Sequence, residues 1–209
     1  MAILRIAHMG HPVLRYPADE ITDINDPAVH RLAADMQETL EHIAANGVAA
    51  PQVYVPIRLV VYRITPSKIP AGSGWQTVPW TVMVNPVITP VTEEKFLTWE
   101  RCLSLPGLHG QVARYANITI RFQDLEGNTV EREANGSHAA VLQHEVDHLD
   151  GLLYPMRMTD MTTFGFNAEP GALAEAAKVE TLEPLFQDMV DGWHDRAKWQ
   201  DWTAAKTAS

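Results

Sequence analysis

A second cysteine is missing from this chain: Cys102 stands alone among 209 residues. No intramolecular disulfide can form, so the stabilisation that small secreted domains take from such bridges is excluded. The single thiol is left as core, ligand or nucleophile. Aromatic residues are sparse at 8%, yet 46% of the chain is hydrophobic, which suffices for one conventional core at this length. A basic surplus is also lacking. The formal charge is −10 at pH 7, and without a basic face to displace counterions neither direct nucleic-acid binding nor an anionic membrane partner is indicated. No apolar run approaches the length needed to cross a bilayer, and Met1–His8 has neither a long apolar stretch nor a small-residue cleavage site. A cytoplasmic protein with small or peptide substrates is therefore expected.

What is present divides into strands and helices. Asp26 and Pro27 open a segment with apolar residues at Val29, Leu32, Ala33, Met36, Leu40 and Ile43, the capping residue, first-position proline and spacing of an amphipathic helix. Asn46-Gly47 supplies its expected left-handed stop. The following Val48-Ala49-Ala50-Pro51-Gln52 is too proline-bound to continue as helix and reads as an exposed turn or strand edge. Further on, Arg58–Tyr62, Thr81–Val84 and Asn117–Phe122 are β-branched clusters separated by turn residues such as Leu125-Glu126-Gly127-Asn128, and predict short, mostly antiparallel strands. Asn135-Gly136-Ser137 starts a second helix, apolar through Ala139, Ala140, Val141 and Leu142, with Gly151 as its end. Leu182, Leu185, Phe186, Met189 and Trp193 suggest a C-terminal amphipathic helix. The expected architecture is α+β: antiparallel strands around a central helix, a catalytic unit over residues 1–165, and a helical extension over 166–209 packed on it or trailing from it.

The chemistry concentrates on that central helix. In Gln143-His144-Glu145-Val146-Asp147-His148 the two histidines stand four residues apart, so both rings leave the same helix face and can grip one divalent cation. Glu145, one residue on, reaches a water on the cation rather than the cation itself. Because the apolar lead-in buries the pair, unpartnered imidazoles would be costly there, and a metal resolves that cost. A metal-dependent hydrolase follows. The third ligand is not obvious downstream: Tyr154 stands where one zinc-protease pattern needs histidine, and nothing local singles out Glu169 for another.

Three motifs occur in order: Gly47-x-Ala49-Ala50-Pro51-Gln52, Glu100-x-Cys102-Leu103-Ser104 and Gln143-His144-Glu145-x-Asp147-His148. Together with Gly10-His11-Pro12-Val13-Leu14-Arg15, this set resembles the peptide deformylase family over roughly residues 3 to 160. The resemblance implies that Cys102, His144 and His148 are the metal ligands, leaving a fourth position for water. Such a donor set suits Fe2+, Zn2+, Ni2+ or Co2+, and the resemblance points to iron. It further implies hydrolysis of the N-formyl group from the initiator methionine of nascent polypeptides, with release of formate. Glu145 would serve as general base and acid, and the Gln52 amide and Leu103 N–H as oxyanion donors. Gly47 and Val48 would present a backbone edge to the peptide, with Val141 beside the methionine pocket and Glu100 orienting the site. The partners so implied are N-formylmethionyl peptides and proximity to the ribosome.

Two positions depart from the family pattern: Ala45 and Arg101 stand where glycine is usual. Ala45 is tolerable if still helical. Arg101 either points to solvent, as most arginines do, or narrows and charges the substrate entrance. His109 and Arg114 are candidates for peptide contacts farther out, and Asp147 and Asp150 for solvated or ligand-orienting carboxylates. Competing readings are a zinc endopeptidase, which needs a third ligand other than Cys102, and a non-catalytic paralogue that binds peptide amino termini.

Overall fold

A computed structural model describes residues 2–66, 69 and 76–169 of the chain. Helix α1 spans Pro27–His42 and helix α2 spans Gly136–Leu149. The strands are β1 (Gly47–Ala49), β2 (Leu59–Ile64), β3 (Val78–Pro90), β4 (Lys95–Cys102), β5 (Leu105–Tyr115), β6 (Asn117–Gln123), β7 (Thr129–Asn135) and β8 (Gly165–Phe166). They form a five-stranded sheet in the order β1-β2-β3-β6-β7 and a three-stranded sheet in the order β4-β5-β8, with antiparallel neighbours throughout.

Alternation along β2 explains how the layers stack. Leu59 and Val61 pack with Val29, Ala33, Met36 and Leu40 of α1. Val60 and Tyr62 pack with Ala139, Leu142 and Leu149 of α2. One strand with both faces apolar thus separates two helices, and burying each large side chain contributes about 1.5–3 kcal/mol. The opposite face of α2 meets the smaller sheet. Gln143 sets its rotation by mimicking a strand neighbour: its Oε1 accepts from Tyr115 N–H at 3.0 Å and its Nε2 donates to Tyr115 C=O at 3.0 Å.

The N-terminus of α1 follows the expectation, with Asp26 accepting from Ala28 N–H and Pro27 in the first turn. Its end does not. The helix stops at His42, and Ala44, at φ 53°, is the left-handed residue in place of Asn46-Gly47. Ala44 N–H donates to Glu41 C=O and Ala45 N–H to Leu40 C=O, which closes the last turn without glycine. Ala45 is accordingly outside the helix. Gly47 is recruited into β1 instead, and Val48 through Gln52 are buried rather than exposed. At the end of α2, Gly151 takes the expected role: φ is 74°, and a Cβ there would strike the backbone of Arg15 and Tyr16.

The unit also continues past its expected boundary, because β8 pairs Phe166 with Leu108 of β5. The expected C-terminal helix lies outside the described residues. No helix among those described is long and apolar enough to cross a membrane.

Candidate metal centre and cleft

Glu100 and Cys102 are two residues apart at the end of β4, so their side chains leave the same side of the strand toward α2, while Arg101 between them is exposed. The pairing with β5 shifts register between Glu100 and Cys102. Cys102 Sγ thereby comes to 3.4 Å from His148 Nε2. His144 completes the group, and the three potential ligand atoms all lie within 4.8 Å of one another. The rings of His144 and His148 stand edge to face at 4.9 Å between centroids. Among the described residues this is the one such cluster of three.

The donor set fits a divalent ion. Burial works against ionisation of the Cys102 thiol, but the charge of His148 and hydrogen bonds from both histidines outweigh it and hold the thiol well below its usual range. Ser104 N–H and Gln52 Nε2 each donate to the same sulfur at 3.4 Å. His144 is pushed the other way: burial lowers its pKa, yet bonds to Cys102 and Glu100 raise it well above the usual value. A thiolate beside an imidazole whose proton is held more tightly than usual is the arrangement a metal cation replaces. His144 Nδ1 lies 2.6 Å from Glu100 Oε2, which commits that nitrogen as donor and leaves Nε2 to ligate.

Behind His144 runs a buried ladder of charge. Arg114 Nε and Nη2 donate to the two oxygens of Glu100 at 2.6 and 2.9 Å, and Nη1 donates to Asp147 at 2.6 Å. Asp147 is also gripped by Arg157, down to 2.6 Å. Burial alone would raise the Glu100 pKa, but these bonds to His144 and Arg114 lower it to about 2. Arg114 is only 2% exposed. It is therefore a supporting residue and not the outer peptide contact suggested by sequence. His109 is likewise buried, against Trp99 and hydrogen-bonded to Asn167. Asp150, by contrast, is exposed and paired with Arg58 at 2.7 Å.

Glu145 is buried beside the cluster. Desolvation raises its pKa, only partly opposed by the two histidines, and Oε2 has no hydrogen-bond partner among the described residues. Its other oxygen lies against Gly47, where any Cβ would collide with the carboxylate. Gly47 is thus required by close approach. Arg63 N–H donates to Asn46 C=O, and Val48 faces Val61 two positions along the same ladder. By antiparallel alternation Val48 turns its peptide groups inward while Gly47 presents its own to the open edge. Val48 is fully buried in the core beneath α1, so it offers the cleft neither backbone nor side chain.

Gln52 is 1% exposed. Its Oε1 accepts from Ala49 N–H at 2.9 Å, and its Nε2 is directed at Ser104 Oγ and Cys102 Sγ. The N-terminal segment clamps this corner through Ala7 N–H to Gln52 C=O and Met9 N–H to Ser104 C=O. A cleft of about 1090 Å³ opens over the cluster, bordered by Gly47, Gln52, Leu103, Val141, His144 and Glu145. Sequence reasoning assigned no role to Ser104 or Arg157, and gave Arg114 a different one. Ser104 was within a quoted motif, whereas no local signal marks the two arginines.

A family model described as polypeptide deformylase matches residues 3–164. The chain is 40% identical to peptide deformylase 1 of Nitrosomonas europaea over 161 residues, covering 77% of this chain and 90% of that protein. It is 43% identical to peptide deformylase 1 of Bordetella pertussis over 162 residues, again covering 77% and 90%. Among solved structures, the Met-Ala-Ser-bound class I type b peptide deformylase of Acinetobacter baumannii superposes with a TM-score of 0.68 at 33% identity, covering 75% of this chain and 98% of that one. The peptide deformylase of Thermotoga maritima gives a TM-score of 0.65 at 33% identity, covering 76% and 99%.

Proposed function

Since the chain belongs to the peptide deformylase family, we propose that Cys102, His144 and His148 hold its divalent metal and that Glu145, Gln52 and Leu103 carry the protein's share of the reaction. The enzyme is a deformylase, hydrolysing the N-formyl group of methionyl peptides to formate and a free amine. The observation that carries the residue assignment is the convergence of one sulfur and two imidazoles beside a buried carboxylate. When bound, the ion supplies Lewis-acid polarisation and makes water acidic enough to attack near neutral pH.

Glu145 takes a proton from the attacking water and returns it to the departing amine. Its raised pKa suits both halves of that task. The Gln52 amide and the Leu103 N–H donate to the formyl oxygen as negative charge develops on it. Gly47 pairs with the substrate backbone as an added strand would, and Val141 borders the pocket for the methionine side chain. Glu100 contributes at one remove, by orienting His144.

Met-Ala-Ser, the peptide bound in the Acinetobacter baumannii relative, has the form of a deformylated product and supports the same use of this cleft. The borderline-soft donors accept several metals; ferrous iron is our assignment on family resemblance. Cytoplasmic location near the ribosome follows from a substrate that exists only on new chains. The test is formate release from formyl-Met-Ala-Ser, with acetyl-Met-Ala-Ser as control. Glu145→Ala should keep the metal and lose on the order of 10²–10⁴-fold in kcat, whereas Cys102→Ala and His148→Ala should lose the metal itself. A metal-free Glu145→Ala protein contradicts the assigned roles.

A further inference from the structure

The rim of the cleft carries charge that the reaction does not use. Arg63, Arg101 and Arg132 all line it, as do Glu100, Glu133 and Glu145. Glu100 is committed to Arg114 and His144 on the floor, and Glu145 is buried beside Gly47. Among the described residues that leaves three guanidinium groups against one exposed carboxylate, Glu133. Among the described residues, none of the three arginines takes part in an ion pair within 4.0 Å.

Two of the three are also held in place. Arg63 stacks over Trp80 at 4.3 Å, and Arg132 lies over Phe122 at 5.2 Å. Stacking engages the guanidinium face and leaves its edge of donors free, which is the geometry that grips a carboxylate through two hydrogen bonds. Arg101 is exposed, between the two floor residues Glu100 and Cys102. The chain as a whole is at −10, so this rim reverses the sign of its surroundings and draws anionic groups to one place.

We propose that the rim selects formyl-methionyl peptides with acidic residues after the methionine, and that Arg101, with Arg63 and Arg132, receives those carboxylates. This rests on the deformylase reading of the cleft. Its volume of about 1090 Å³ reaches the upper end for sites that enclose a drug-sized ligand, leaving room for residues beyond the first. Arg101 and Arg132 are specificity residues that touch the chain downstream of the reacting bond.

Metal-loaded protein would be assayed for kcat/KM on formyl-Met-Ala-Ser, formyl-Met-Asp-Glu and formyl-Met-Lys-Lys. Affinities for the three deformylated peptides would be measured in parallel by fluorescence anisotropy. The acidic peptide should lead the neutral one by about threefold to tenfold, expressed in KM and Kd, and the basic peptide should trail. The lead should shrink at about 0.5 M salt, and again in Arg101→Gln and Arg132→Gln. If Arg132→Gln does not fold, Arg101→Gln decides, since an exposed side chain is replaced there. Equal rates on acidic and neutral peptides, or a lead that survives the substitutions unchanged, overturns the proposal alone. Turnover of no formyl peptide overturns the deformylase reading beneath it.

Discussion

Arg114 and Arg101 lie within a few residues' reach of the same cysteine and handle charge in opposite ways. Arg114 is 2% exposed and spends three nitrogens on Glu100 and Asp147. Arg101 is exposed and joins Arg63 and Arg132 on a rim with few carboxylates. On the floor, where water is excluded, each charge needs a partner and the set becomes fixed. On the rim, solvent screens an unpaired cation at little cost. Alternation along β4 separates the two regimes. Glu100 and Cys102 face inward and Arg101 outward, so the bulk of Arg101 stays clear of the sulfur and the two imidazoles.

The contrast can be broken at the floor first. Arg114→Met should destabilise the protein by about 3 kcal/mol, because two carboxylates lose their shared cation while still buried; urea melts read this, and metal content should fall with it. A loss within that of a surface substitution would mean that the ladder is dispensable. Next in size is a pH effect on the metal-free protein. The Glu100 pKa drops from 4.5 to about 2 on folding, so its contribution is fully present above about pH 4.5 and fades as pH falls toward 2. The span is worth about 3 kcal/mol. Glu100→Gln should flatten that part of the stability curve, and parallel curves for the two proteins would contradict the assignment.

Gly47→Ala tests the junction between floor and edge strand. A methyl group there forces the Glu145 carboxylate aside, and kcat should fall by roughly 100-fold with the metal retained. The smallest effect is expected at the rim, where Arg101→Gln alters peptide preference by a few-fold and leaves the melting curve where it was.

The parts of the site legible in the sequence are those set by a local period. Helical spacing alone brings His144 and His148 together, and Asp26-Pro27 marks the start of α1 through capping chemistry that is local as well. The end of α1 departs from its local signal: Asn46-Gly47 has the strongest local preference for a left-handed turn, yet the approach of Glu145 claims Gly47 for β1. That contact joins residues far apart in sequence. Strand β7 escaped notice because it is a charged edge, Thr-Val-Glu-Arg-Glu-Ala-Asn, with one buried residue. Strand β5 carries Pro106, Gly107 and Gly110, which interrupt any alternating pattern. Arg114 was named but given the wrong partners: only the pairing of β4 with β5 and the docking of α2 bring Glu100, Arg114 and Asp147 together.

The most direct measurement is X-ray absorption at the metal edge of zinc-loaded protein. One sulfur scatterer near 2.3 Å and two imidazole nitrogens near 2.0–2.1 Å are predicted, with the sulfur shell absent in any residual metal bound by Cys102→Ser. A wild-type spectrum with nitrogen and oxygen neighbours alone, or one unchanged in Cys102→Ser, would show that the cysteine does not hold the ion.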